Sequence, residues 1–197
     1  MTAEQFSTFW ATTYPATLPL GHNLKKAYRD RWFRIHSLPE SKKYASTQAE
    51  WQVLLDRQNG IITDLLGESG PILLVTGEYR HEGIPFESAL EETALANYSF
   101  VTVADVFDLH QSSPAHYDAG DFYQVSFSEQ RWQSGKFNEM LRAIANDEMR
   151  AFFVSIVNNC IVAPYDGGID FILHDTATRN HYREKYAAWL SSHPEGF

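Results

Sequence analysis

The chain has 197 residues, of which 44% are hydrophobic and 14% aromatic, so it has enough apolar material for a packed core, and a disordered chain is excluded. The net charge is -9 at pH 7, which disfavours general binding to nucleic acid or to anionic membranes, because phosphate recognition draws on clustered positive charge. An acidic protein of this kind suits a basic protein partner.

The N-terminal residues and the single cysteine predict the compartment. The start of the chain carries an acid at Glu4 and neither a basic leader nor an uninterrupted apolar stretch, which predicts no signal peptide and no membrane span. The only cysteine, Cys160, lies in an apolar run, which predicts a buried structural thiol in a reducing environment. We therefore expect a cytoplasmic protein.

Residues 25–43 form a basic segment, with seven basic residues against two acidic ones. They follow residues 1–21, which we interpret as a candidate N-terminal helical arm. Tyr28, Trp32 and Phe33 are interspersed among the basic residues, a mixture typical of single-stranded nucleic-acid recognition by charge and stacking. The favoured alternative is that the aromatic residues point into the core while the basic residues pair with the acidic body. Nucleic-acid binding is therefore disfavoured.

The clearest helix in the sequence begins at a capping box. Thr47 and Glu50 have the T-x-x-E pattern, in which each side chain accepts a backbone N–H at the start of the helix. Apolar residues then recur at helical spacing until Gly67, a residue suited to ending a helix. The sequence predicts a helix over about 47–66.

Apolar and alternating runs predict strands in the middle of the chain. Residues 72–76 and 100–106 are short β-forming runs, with the pattern of a short amphipathic helix at 85–97 between them. Residues 121–127 alternate as a half-buried strand does, and a helix is predicted over 136–147.

The C-terminal part of the chain has the pattern of adjacent strands. Residues 151–162 are strongly β-forming, with a turn or bulge expected at Asn158 and Asn159. The tight loop 164–168 then leads to a strand at 169–173. Asp175 is suited to cap the last helix.

The order of these elements predicts the fold class. Short links late in the chain favour an α+β fold, in which helices from both ends of the chain cover a mainly antiparallel sheet of about five or six strands. Residues 32–36 have the composition of a further extended segment. Because no internal repeat or composition break is present, we interpret residues 1–197 as one domain.

The best-formed local feature is the segment around Asp166 and Asp170, with Gly167 and Gly168 between them. Glycines allow backbone angles or close approaches that are closed to other residues. Asp166 is a candidate base or metal ligand. The alternative is a hairpin in which this aspartate bonds its own backbone.

Two other stretches carry reactive side chains. Tyr79 and Arg80 follow the first predicted strand of the middle region, where a sheet could present them to a ligand, although charged strand ends also protect edges from aggregation. Residues 110–121 hold two histidines and two aspartates, the ligand types of zinc, but their spacing is not diagnostic. We predict no metal and no cofactor.

Two stretches carry a family resemblance: RWFRIHSLPESK at residues 31–42 and VAPYDGGIDFI at residues 162–172. They resemble segments of a family of uncharacterised bacterial domains, in which an R-I-H-S-x-P-x-S-K-like segment precedes a helix and a Y-D-x-G-x-D-like turn precedes the C-terminal helix. Tyr165, Asp166, Gly168 and Asp170 stand in the second pattern. The resemblance implies a family without an assigned activity.

Two hypotheses of function follow. The first is a non-catalytic interaction module of inhibitor or immunity type that binds a basic partner, favoured by the acidic body and by the lack of a recognisable catalytic motif. The alternative is an enzyme acting on a small molecule or phosphate ester through one pocket. Its candidate residues are Arg34, His36, Tyr79, Arg80, Tyr165, Asp166 and Asp170. Sequence alone predicts no oligomeric state.

Overall fold

The computed structural model describes residues 1–84, 88, 90 and 93–191 of the chain. Within them, one antiparallel sheet of seven strands runs in the order β1-β7-β6-β5-β2-β4-β3. Its strands are β1 (Trp32–His36), β2 (Pro71–His81), β3 (Val101–Asp108), β4 (Asp121–Arg131), β5 (Ala151–Ser155), β6 (Cys160–Tyr165) and β7 (Gly168–Ile172). The α-helices of the same described ranges are α1 (Ala3–Thr13), α2 (Gly21–Ala27), α3 (Gln48–Leu66), α4 (Leu109–Ser112), α5 (Asn138–Ala145) and α6 (Thr176–Lys185).

The α+β class and the antiparallel sheet are confirmed, but the predicted count of five or six strands is wrong. The β-forming run 151–162 contains parts of two strands, because the chain turns back between Ser155 and Cys160. At this turn Asn159 adopts a φ of 43°, which asparagine tolerates better than most residues. The segment 32–36 is a full edge strand, whose partner β7 lies more than 130 residues away along the chain.

The two faces of the sheet carry separate hydrophobic clusters, because successive strand residues point to opposite faces. In β2, Ile72 and Leu74 pack into the cluster beneath α3, α5 and α6. Leu73 and Val75 pack into the cluster beneath α1 and α2. Helices from the start, the middle and the end of the chain thus cover both faces.

Several predicted helices are present at the expected positions. The helix predicted over 47–66 is α3, and the capping box of Thr47 and Glu50 is formed. The helix predicted over 136–147 is α5. Of the amphipathic helix predicted over 85–97, six residues lie outside the described residues, and the described residues 93–97 form turns instead of a helix. None of the helices that the structure describes combines the length and apolar character needed to span a bilayer.

The N-terminal segment lies on the sheet of its own chain. The ring of Phe6 in α1 stacks on Phe127 of β4, with centroids 4.7 Å apart. Trp10 Nε1 donates a hydrogen bond of 2.8 Å to the carbonyl of Thr17, which ties α1 to the link that leads to α2. This packing places the first turn of α2 over the central strands.

Candidate anion-binding pocket

Arg34 and Asp170 form a buried ion pair, because β1 and β7 place them directly opposite each other. Nε and Nη2 of Arg34 donate to the two carboxylate oxygens at 2.7 and 2.8 Å. Trp32 Nε1 donates to Oδ1 of the same carboxylate at 2.8 Å. Burial by itself lowers the pKa of Arg34, but the hydrogen bonds and charge of Asp170 hold the pKa above its ordinary value. The Arg34 guanidinium therefore stays charged within a largely buried wall.

The hairpin between β6 and β7 confirms the predicted tight loop, since Tyr165 pairs with Gly168 across the turn. The carboxylate of Asp166 lies 2.5 Å from Lys43 Nζ and accepts a 3.4 Å hydrogen bond from the hydroxyl of Tyr44. The carboxylate of Asp166 thus forms an ion pair with Lys43, a residue of the basic segment. A Cβ at Gly168 would lie 1.9 Å from the carbonyl oxygen of Ile35, so this glycine permits a close approach of β1.

A cavity of about 370 Å³, which we call the sheet pocket, lies at the end of the sheet where β5 begins and β6 ends. This volume falls in the range of small-molecule sites. Its walls bring together five residues of the predicted pocket: Arg34, Tyr79, Tyr165, Asp166 and Asp170. Arg34 and Asp166 therefore share one cavity, whereas His36, the third residue that the enzyme hypothesis placed in its pocket, does not line it.

Two predicted residues, His36 and Arg80, do not line the sheet pocket. His36 lies at the end of β1 opposite Gly168, and its pKa is lowered by burial and by the charge of Arg34. Its Nε2 atom is buried, with no hydrogen-bond partner in the ranges that the structure describes. Arg80 is adjacent to Tyr79 in β2 and therefore points to the opposite face of the sheet.

Three basic side chains complete the sheet pocket: His22 and Lys25 of α2, and Arg150 just before β5. The hydroxyl of Thr76 donates a 2.7 Å hydrogen bond to the carbonyl of Arg150, which fixes the backbone at the pocket wall. The Arg150 side chain is 67% exposed and lies 3.6 Å from Asp147. The pKa of Lys25 is lowered, first by burial and then by the charge of Arg34.

The surroundings of His22 lower the pKa of its imidazole. Burial lowers its pKa, and the positive charges of Arg150, Lys26 and Lys25 lower it further, followed by that of His116. Positive charges thus lie close to His22, although the walls of the sheet pocket also hold three carboxylates, Asp147, Asp166 and Asp170, beside Lys25, Arg34 and Arg150.

A second and larger cavity, of about 800 Å³, adjoins the sheet pocket at His22, which lines both. We call it the helical cleft, since it lies between α1, the link to α2, β3 and α4. The Nε2 atom of His22 and the hydroxyl of Tyr117, another residue of the cleft, are 2.9 Å apart and hydrogen-bonded. Tyr117 in turn lies close enough to Tyr79 of the sheet pocket for Tyr79 to raise its pKa, after the larger effect of burial.

The histidines and aspartates of residues 110–121 make local contacts instead of converging. His110 Nδ1 donates to the carbonyl of Tyr117 at 2.8 Å, and His116 Nδ1 lies 2.9 Å from the hydroxyl of Ser113. Asp121 lies 2.9 Å from His81 Nδ1. Within the described ranges, no group of three or more His, Cys, Asp or Glu side chains is arranged to hold a metal ion.

His22 and Arg150 are not among the candidate residues that the sequence indicates. Neither stands in a motif, and Arg150 and Lys25 are separated by 125 residues. The strand order β7-β6-β5 places the start of β5 near the pair of Arg34 and Asp170, and only this order reveals the cluster. Lys25 belongs to the basic segment. The excess of positive charge in this segment was the one feature of the sequence that pointed to a basic side chain of the pocket.

The fold and the site define an α+β protein with a pocket, lined by both basic and acidic side chains, where β5 begins and β6 ends in an antiparallel sheet. The family model for a domain of unknown function, DUF3885, matches residues 20–194, so the chain belongs to this family. The predicted membership in a family without an assigned activity is confirmed. No curated protein and no solved structure matches the chain significantly.

Proposed function

We propose that this protein binds a small anionic molecule of the phosphate-ester class in the sheet pocket. The observation that carries the proposal is the convergence of Lys25, His22 and Arg150 on one concave site of an acidic chain. Hydrogen bonds from cationic side chains to phosphate are short and strong, which suits these residues to an anionic group.

The acidic side chains of the sheet pocket are compatible with an anion because they already have cationic partners. Asp170 is paired with Arg34 and Asp166 with Lys43, and Asp147 lies 3.6 Å from Arg150. Tyr79 and Tyr123 form an aromatic wall, with ring centroids 5.1 Å apart in an edge-on arrangement. This wall suits the uncharged part of a ligand, since aromatic rings bury a large apolar area.

Replacing Arg150 or Lys25 with glutamine is expected to weaken the binding of inorganic phosphate about tenfold each, because each variant loses a charge-assisted hydrogen bond. Isothermal titration at low ionic strength measures this loss. The matched control is Lys136→Gln, a lysine that contacts Phe137 beneath the other face of the sheet. The control variant should bind phosphate as the unchanged protein does.

Three outcomes would contradict the proposal. Phosphate binding that is unchanged in both pocket variants would place the anion elsewhere. An equal loss in Lys136→Gln would mean that only the overall charge matters. A lack of any phosphate binding at millimolar concentration would remove the proposal and leave the interaction module for a basic partner, which the net charge of -9 supports, as the leading account.

As part of the same proposal, the protein acts in the cytoplasm. The supporting observation is Cys160, whose side chain is only 1% exposed. Burial raises the pKa of this thiol to about 12, so the reactive thiolate is not populated at neutral pH. The predicted buried structural thiol is confirmed, and a single buried cysteine fits a reducing compartment.

A further inference from the structure

Part of the wall of the helical cleft is apolar and suits an apolar group. Phe6 and Trp10 of α1 and Val103 of β3 line it, and all three are buried against the sheet. Leu18 and Phe107 are partly buried and add to the same apolar surface. Its volume of about 800 Å³ exceeds that of the sheet pocket, so it has room for the larger part of a ligand.

The two cavities differ in the side chains that line them on either side of their boundary. On one side lie Lys25 and Arg150 of the sheet pocket, and on the other a cleft whose walls are mainly apolar but also include the charged residues Lys26 and Asp105. His22 and Tyr117 form the boundary, and one hydrogen bond of 2.9 Å joins them. A ligand that fills both cavities would have to pass this pair, and rotations of side chains that are not locked in a core are fast.

We propose that the two cavities form one bipartite site for an amphipathic anion, whose phosphate group occupies the sheet pocket and whose alkyl chain occupies the helical cleft. This inference rests on the proposed function and names the ligand class more closely. Charge fixes the position of the head group, and the apolar walls supply affinity in proportion to the chain length.

The test is a titration series with methyl, butyl and octyl phosphate, each below its aggregation concentration. Affinity is expected to rise about threefold for each added methylene that is buried, and on the order of 10²-fold from butyl to octyl phosphate. Octyltrimethylammonium, which has the same chain on a cationic head, is expected to bind far more weakly than octyl phosphate.

Ala11→Trp is the variant that fills the cleft. Ala11 is an exposed residue of α1 that lines the cleft, and an exposed helix position tolerates tryptophan. Thr8→Trp is the matched control, because Thr8 is also exposed on α1 but does not line the cleft. Ala11→Trp should bind methyl phosphate normally and lose the gain from the octyl chain, whereas Thr8→Trp should keep the gain.

Four other outcomes would each contradict one claim: the bipartite site, the position of the alkyl chain, the recognition of the head group, or the proposed function. If methyl and octyl phosphate bind equally, the bipartite site is wrong and the sheet pocket stands. If the octyl gain persists in Ala11→Trp, the chain binds outside the cleft. If octyltrimethylammonium binds as well as octyl phosphate, the head group is not recognised. If none of the phosphates binds, the proposed function itself fails.

Discussion

Replacing Asp170 with alanine is expected to destabilise the fold by about 3–5 kcal/mol, because the substitution leaves a buried guanidinium without its counter-charge. Arg34 and Asp170 are only 11% and 8% exposed, and the alanine also removes the acceptor of the Trp32 indole N–H. The urea dependence of unfolding, followed by tryptophan fluorescence, measures the change.

Two further variants isolate the cause of this loss. The double variant Arg34→Met with Asp170→Leu removes both charges and is expected to be far more stable than Asp170→Ala, because apolar residues of similar size often replace a buried pair at little cost. Lys185→Ala breaks the more exposed pair with Asp64 and is expected to cost less than about 1 kcal/mol. A loss for Asp170→Ala as small as that for Lys185→Ala would show that the pair does not hold the edge strand.

Replacing Gly168 with alanine is expected to cost about 2–3 kcal/mol, because the added methyl group overlaps the backbone of the neighbouring strand. The new Cβ would lie 1.9 Å from the carbonyl oxygen of Ile35, so β1 must move away from β7. That movement would also separate Arg34 from Asp170. Chemical denaturation gives the loss, and the indole N–H resonance of Trp32 reports whether its hydrogen bond survives.

Gly60→Ala is the matched control and should have the opposite sign. Gly60 lies within α3, and a Cβ at this position meets nothing within 4 Å. Alanine there is expected to stabilise the protein by about 0.5–1 kcal/mol, since glycine is a poor helix former. Equal stability of Gly168→Ala and the unchanged protein would disprove the role assigned to the close strand approach.

Local patterns were enough to predict the elements that depend on neighbouring residues. The capping box of Thr47 and Glu50 and the end of α3 at Gly67 are interactions within a few residues, and all are formed. The hairpin of β6 and β7 likewise follows from the residues of its turn. These features were predictable because the interacting groups are close together in the sequence.

The site could be predicted only in part, because its residues meet through pairings distant in sequence. The sequence indicated Arg34 and Asp170 as candidate residues. It did not indicate that these two residues, 136 positions apart, would be hydrogen-bonded to each other. Arg150 and His22 carry no motif, and the strand order alone brings them together. His36 and Arg80 looked equivalent to their neighbours in sequence, yet strand alternation and the edge position keep them outside the pocket.

The most direct test of the central claim is an NMR titration of the His22 imidazole with and without sulfate, whose charge is constant over the range. Without sulfate, we expect the pKa of His22 below its ordinary value, because burial and the charges of Arg150, Lys26, Lys25 and His116 disfavour the imidazolium. A bound anion offsets these charges, so sulfate should raise this pKa, and the affinity for sulfate should increase as the pH falls through it.

In the Arg150→Gln variant, the sulfate-induced rise should shrink, while the resonance of His181, exposed on α6, should not respond to sulfate at constant ionic strength. This result would place the anion in the sheet pocket. If sulfate leaves the pKa of His22 unchanged, or shifts His22 and His181 alike, the sheet pocket is not an anion-binding site.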